Sequence, residues 1–248
     1  MLTFINVLIM IFSFSNCLLR DNENLDIDIS RMNISSQTDQ IILVIPEKYT
    51  SSIATLYFYV KESSQWKLEL KTLAYIGKDG LGLESEDDSK SPVGLFKFNF
   101  YFGINEKPLT SLPYVQVNKS HYWISDPASD KYNHFVNIDI YKEFDINKSE
   151  HLIEVVPGYQ YAMNINYNED CIPGRGSAIF LHCFTEEKYT GGCVAVSEDD
   201  MKFLFGKINT NCNIIIDVYE NVLKYYRSSN KSNKLEFVYM AFLFLLFI

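Results

Sequence analysis

Apolar residues along most of this chain fall in short runs separated by clusters of Ser, Gly, Asp and Pro, and the runs are rich in Ile, Val, Tyr and Phe. That texture predicts strands and hairpins. It begins at residue 40 with "IILVIP", "IATLYFYV" and "QWKLELKTLAYIG" and continues through "SHYWISD", "EHLIEVVPG", "YAMNINYN" and "SAIFLHCF". In "LFKFNFYFG", Phe96, Phe98, Phe100 and Phe102 alternate with Leu95, Lys97, Asn99 and Tyr101, which predicts a half-buried strand with its aromatic face inward. One stretch carries helical spacing: Met201, Leu204, Phe205 and Ile208 recur at i, i+3, i+4 and i+7 behind a Ser197 cap with Asp200 three residues on. Gly206 weakens the end of that helix, and "CNIIIDVYE" reads as a closing strand. The expected fold is mainly β, with one or two short helices.

The two ends have another character. Residues 1–17 lie in an uncharged apolar stretch with small residues at Ser13 and Ser15, the form of a secretory signal peptide; the lack of Lys or Arg before it leaves a retained membrane anchor as the alternative. Residues 18–39 are polar and acidic without periodicity and read as a linker or loose arm. Residues 220–248 read as a polar spacer and an apolar tail, "FVYMAFLFLLFI", which as a helix reaches about 18 Å against roughly 30 Å of hydrocarbon. With Ser228, Ser229, Asn230 and "KSNK" upstream, the tail fits a glycolipid-anchor signal, a half-buried tail or a core segment. The expected location is secreted or cell surface.

The chain has 248 residues, 47% of them hydrophobic and 15% aromatic, enough for a packed domain over 40–219. A net charge of −9 argues against a nucleic-acid or anionic-membrane partner, because both require clustered Lys and Arg. Sequons at Asn33, Asn118, Asn147 and Asn230 matter only in a eukaryotic secretory route.

Candidate chemistry concentrates in "GSAIFLHCFTEEKYTGGCVAVSEDDM". Strand alternation puts His182 with Ala178, Phe180 and Phe184, and Cys183 with Ile179 and Leu181, so Cys183 reads as a small buried apolar residue. His182 can face Cys193, and the Gly191-Gly192 turn can aim the amides of Gly192 and Cys193 into an anion pocket. A thiol nucleophile, a proton acceptor and oxyanion donors are the parts of acyl transfer. The positive end of the following helix would assist a thiolate, offset by Glu198, Asp199 and Asp200. Activation therefore falls to His182, as ion-pair partner or as general base.

Two other readings of these residues stand: a purely structural His and Cys, and a zinc site from Cys171, His182, Cys193 and Cys212, which lacks the close paired spacings of structural zinc sites. No metal or cofactor is expected. Cys171 with Cys212 is the expected disulfide, and His121, His134 and His151 read as surface or satisfied histidines.

At these residues the chain resembles the catalytic domain of the L,D-transpeptidase (YkuD-like) family, over about 40 to 218. "AYIGKDGLG" is similar to its Gly-x-x-Gly element and "DDSKSPVGLFKF" to its acidic loop and Pro-x-Gly-x-Phe strand; "YFGINEKP", "YWISDPASDKYN", "SEHLIEVVPGYQYAMNINYN" and "GRGSAIFLHC" follow in the family order. The resemblance implies an L,D-transpeptidase-like β-sandwich or barrel and an exported enzyme acting on peptidoglycan stem peptides. It makes Cys193 the nucleophile, His182 the proton acceptor and Gly192 with Cys193 the oxyanion donors. Thr190 and Gly191 hold the turn, and a backbone carbonyl there orients the imidazole. Departures are His182-Cys183 for His-Gly, Thr190-Gly191-Gly192-Cys193 for Ser-His-Gly-Cys, and Ala195 where relatives carry Arg or Asn.

Arg175 is the candidate to compensate for Ala195, and Trp123, Tyr132 and Asn133 are candidates to line the cleft. Transfer to an amine, hydrolysis by an L,D-carboxypeptidase or endopeptidase, and a non-catalytic wall-binding module are the competing functions. The first two differ only in the acceptor that the cleft admits.

Overall fold

The structure is a computed structural model that describes residues 27–225. Twelve strands are present among these residues: β1 Gln40–Pro46, β2 Ile53–Glu62, β3 Gln65–Tyr75, β4 Gly94–Gly103, β5 Val115–Gln116, β6 His121–Ile124, β7 Phe135–Asn137, β8 Ser149–His151, β9 Ala162–Ile165, β10 Phe180–Cys183, β11 Val194–Val196 and β12 Asn213–Ile216. Two short helices follow β11 and β12, α1 Glu198–Lys207 and α2 Tyr219–Val222. The class is mainly β, as the short apolar runs predict.

Nine strands form one sheet in the order β12-β1-β2-β3-β11-β10-β9-β4-β5. β4 closes it into a barrel by pairing with β12 through Gly94 to Lys97 and with β9 through Phe98 to Phe102. Closure removes the exposed edges an open sheet would present. A second sheet, β7-β6-β8, stands beside it.

Ile42, Val44, Leu56, Phe58, Leu181, Val194, Ile214 and Ile216 belong to the main core, joined by Met201, Leu204, Phe205 and Ile208 from α1 and its end. Ser197 caps α1 by accepting from the Asp200 N–H at 3.1 Å, as the spacing predicts. β1 is buried at every position because its other face is covered too: Ile41, Leu43 and Ile45 pack with Ile27, Ile29, Met32 and Ile34. Residues 27–36 are therefore a packed flap of two 3-10 turns, not the expected loose linker. The part of the tail from Glu220 to Tyr225 is helical and buries Val222 in the same cluster. The leader and residues 226–248 lie outside the described residues. Among those described, no helix is long and apolar enough to cross a membrane.

The aromatic face of β4 is not continuous. A bulge between Phe98 and Phe100 shifts its register against β9. A bulge residue reverses the facing of everything after it, so Phe98 and Tyr101 enter the main core, while Phe100 and Phe102 turn to a third cluster with Trp123, Tyr159 and Phe180. That third cluster is the floor beneath the site.

Candidate active site

β10 and β11 run parallel with Leu181 opposite Val194 and His182 opposite Ala195. A parallel pair needs a crossover connection, and its return brings Cys193 level with Phe180. Residues level in register share a face, so Cys193 lies on the His182 side of the sheet. Ile179, Leu181 and Cys183 point the other way into the barrel, as alternation predicts.

Cys193 and His182 line one cleft of about 380 Å³, together with Thr190, Gly192, Tyr159 and Glu150. The two side chains do not bond each other in this resting arrangement. The Cys193 thiol donates to the Ala178 carbonyl at 3.2 Å, and its sulfur accepts from the Phe180 N–H at 3.3 Å. His182 Nδ1 lies 2.7 Å from the Cys183 carbonyl oxygen. A carbonyl only accepts, so Nδ1 carries the hydrogen and the neutral ring keeps its lone pair on Nε2. The carbonyl that orients the imidazole thus comes from its own strand, not from the Thr190 turn.

The turn before Cys193 is set by two hydroxyls. Thr190 Oγ1 donates to the Cys193 carbonyl at 2.7 Å, and Ser91 Oγ donates to the same oxygen at 3.0 Å. Thr190 Oγ1 also accepts from the Gly192 N–H at 3.1 Å, so that expected oxyanion donor is turned inward here. A buried amide in an unliganded turn needs such a partner. Ser91 accepts in turn from the Gly77 N–H at 2.9 Å. A β-carbon at Gly77 would lie 2.6 Å from Lys90 Cα, which gives the Gly-x-x-Gly element its physical reason.

Burial dominates the electrostatics. It lowers the His182 imidazole to about 4, opposed by its bond to the Cys183 carbonyl. It raises the Cys193 thiol, with the nearby Glu150 carboxylate adding to the rise and the Phe180 N–H opposing it. The resting pair is neutral imidazole and thiol, and the general-base role fits it better than an ion pair. α1 does not line the cleft, so the expected help from its positive end is not delivered there.

Three predicted recognition residues sit elsewhere. The Arg175 side chain is exposed and does not line the cleft. Tyr132 is buried, donates to the Glu86 carboxylate and accepts from the Gly176 N–H at 3.1 Å. Asn133 spends its amide on internal bonds to Trp123, Ala178, Tyr167 and Asn168, which exhausts its capacity and leaves none for a substrate. The expected Cys171–Cys212 disulfide is absent: both are free, Cys212 inside the main core and Cys171 beside His134, with Sγ 3.7 Å from Nδ1. That separation also disperses the zinc set, and among the described residues no three such side chains gather.

The sequence reading missed Ser91, Glu86, Glu150 and Tyr159. Tyr159 packs edge-on against His182 at 5.5 Å between ring centroids and donates to the Glu150 carboxylate at 2.5 Å. Burial raises Glu150 to about 7. Glu86 accepts from Ser177 at 2.5 Å. Nothing local separates Glu86 from Glu84 or Asp87 in its acidic loop, and Glu150 lies in an unremarkable short strand.

With this fold and site in view, the chain belongs to the L,D-transpeptidase catalytic domain (YkuD) family, whose family model matches residues 41–216. Among solved structures it is similar to the helical cell shape determining protein Pgp2 from Campylobacter jejuni, at 16% identity and a TM-score of 0.39, covering 73% of this chain and 48% of that one. Bd1075 from Bdellovibrio bacteriovorus is similar at 18% identity and a TM-score of 0.38, covering 78% and 58%. An L,D-transpeptidase from Stackebrandtia nassauensis is similar at 15% and 0.34, covering 73% and 56%. The chain thus spans about half the length of these structures. None of the curated proteins compared with it matches.

Proposed function

We propose that the protein is an exported cysteine acyltransferase that takes the acyl group of a peptidoglycan stem peptide onto Cys193. The observation that supports it is one cleft holding Cys193, His182 and the Thr190 turn within a chain of the YkuD family. As the sulfur attacks the carbonyl at the L-to-D bond, His182 Nε2 accepts the thiol proton. The oxyanion falls to the Cys193 N–H, joined by the Gly192 N–H when Thr190 releases it. Collapse breaks the C–N bond, the departing D-residue amine takes the proton back from His182, and a thioester remains. An acceptor amine then attacks the thioester with His182 again accepting its proton, and the sulfur leaves as thiol. Water in place of the amine gives the carboxypeptidase.

Mass spectrometry of muropeptides incubated with wild type and Cys193→Ala tests this. Loss of the terminal D-residue with a new dimer, in wild type alone, is the expected result. Loss without a dimer assigns hydrolysis. No change in any peptide overturns both.

A non-catalytic wall-binding module is the second reading, favoured by the depth of the sulfur: Cys193 is 8% exposed, and two backbone groups already hold it. Iodoacetamide labelling separates the two. The enzyme predicts Cys193 labelling that His182→Ala abolishes, and equal labelling in both proteins favours the binder. Cys171 is the half-exposed thiol among those described, so the comparison needs a Cys171→Ser background.

A further inference from the structure

Ala178, immediately ahead of β10, has a φ of 54°, a left-handed conformation that a residue with a β-carbon adopts at a cost of about 1–2 kcal/mol. Such strain persists only where the surroundings over-determine it. Here the surroundings are Asn133, itself at φ 58°. Its Oδ1 accepts from the Ala178 N–H at 3.1 Å and from Trp123 Nε1 at 3.0 Å. Its Nδ2 donates to the carbonyls of Tyr167 at 3.3 Å and Asn168 at 3.1 Å, which fixes which way the amide points. One residue further, the Ile179 carbonyl accepts from the Ile165 N–H at 2.9 Å and from Asn164 at 3.3 Å. The segment is pinned at each step, and its outcome is the pair of backbone groups, Ala178 carbonyl and Phe180 N–H, that grip the Cys193 sulfur.

We propose that Asn133 is a positioning residue for Cys193: through the Ala178 amide it holds the strained turn whose carbonyl fixes the direction of the thiol. The inference rests on the reading of Cys193 as nucleophile. A carbonyl that accepts the S–H stabilises the thiol over the thiolate, and the Phe180 N–H, held in β10, stays to receive a thiolate, so releasing the Ala178 carbonyl makes the sulfur easier to ionise while leaving it badly aimed. The titratable groups facing the sulfur are His182 from β10, Glu150 from β8 and Tyr159 from the turn before β9, with Glu86, Glu187 and Tyr189 at the cleft wall. Of these, Glu86 is the one bonded to the neighbours of Asn133 and Ala178, accepting from Tyr132 and from Ser177 at 2.5 Å.

The test uses the full chain carrying Cys171→Ser, alkylated with iodoacetamide across a pH series, with modification of each cysteine followed by peptide mass spectrometry. For Asn133→Ala, the Cys193 profile moves to lower pH, and labelling on its rising limb quickens about three- to tenfold, the worth of one neutral hydrogen bond. Cys183 and Cys212 stay unlabelled. An unmoved Asn133→Ala profile overturns the proposal, as does a shift accompanied by labelling of Cys183 and Cys212. Should Asn133→Ala fail to fold, Asn133→Gly carries the test, because it removes Oδ1 while taking the φ of 58° at that position without a side-chain penalty. Stem peptides are a separate arm in which Asn133→Ala forms acyl-enzyme more slowly. If no stem peptide reacts with any variant while the alkylation profiles behave as stated, the positioning role stands and the acyl-transfer reading falls.

Discussion

A β-carbon built on Gly192 would lie 3.0 Å from the Lys90 carbonyl oxygen and 3.2 Å from Ile179 Cδ1, whereas one on Gly191 meets nothing within 4 Å. The two glycines look equivalent in the sequence, and only the second is pressed against backbone. Gly192→Ala must push the turn off Lys90, at a cost of about 1–3 kcal/mol, and carries Cys193 with it. Gly191→Ala is expected to stay within about 0.5 kcal/mol of wild type, because an exposed position without a neighbour asks nothing of the new methyl. Chemical denaturation of both variants, read with Cys193 alkylation, checks the contrast; equal losses would mean that the turn needs flexibility rather than space. Cys193, His182 and Thr190 were legible because they lie in one short stretch whose alternation and turn can be read directly. Ser91 was not, since its bond to the Cys193 carbonyl joins residues 102 positions apart, and a serine between a lysine and a proline carries no local mark of that contact.

Among the elements, α1 shows how local signals survive into the fold. Ser197 caps its first turn, and Asp200, whose N–H meets the cap, also accepts from Ser197 Oγ at 2.6 Å and from Thr72 of β3 at 2.8 Å. One carboxylate thus ties the helix start to the barrel wall. Ser197→Ala is expected to lower stability by about 1 kcal/mol and Ser197→Gly by only a few tenths, since glycine leaves the amides to water. Urea midpoints at constant slope are the check, and an alanine as harmless as glycine would show that Thr72 alone holds the junction. The strands of the barrel were legible from their period, as was the inward face of β10. The bulge in β4 and the closure through β12 were not, because pairing partners distant in sequence set both. β1 is buried on both faces, and what covers its outer side is a stretch rich in Asn, Ser and Asp whose few isoleucines follow no period, which is why it read as a loose arm.

For the molecule as a whole, the cleft places two groups with opposed pH linkage side by side. His182, held near 4 when folded against 6.5 as its ordinary value, binds a proton in the unfolded chain but not in the native one across that interval. Its contribution is present above the ordinary value and is lost as the pH falls through the folded one, so stability rises with pH there. Glu150, raised to about 7 from 4.5, does the reverse: the native state holds the proton that the unfolded chain has released, and stability falls as pH rises through that window. Each slope is at most about 1.4 kcal/mol per pH unit, and where the windows overlap they offset one another. The expected melting temperature of wild type therefore shows little contribution from this cleft between roughly pH 4.5 and 6.5. Glu150→Gln uncovers the histidine, and melting temperature should climb with pH across that range. His182→Gln uncovers the carboxylate, and the trend should invert. Scans of the three proteins in matched buffers decide it: parallel curves would mean that neither group is held away from its ordinary value. The neutral imidazole and thiol from which the general-base role of His182 was argued would then lose their basis.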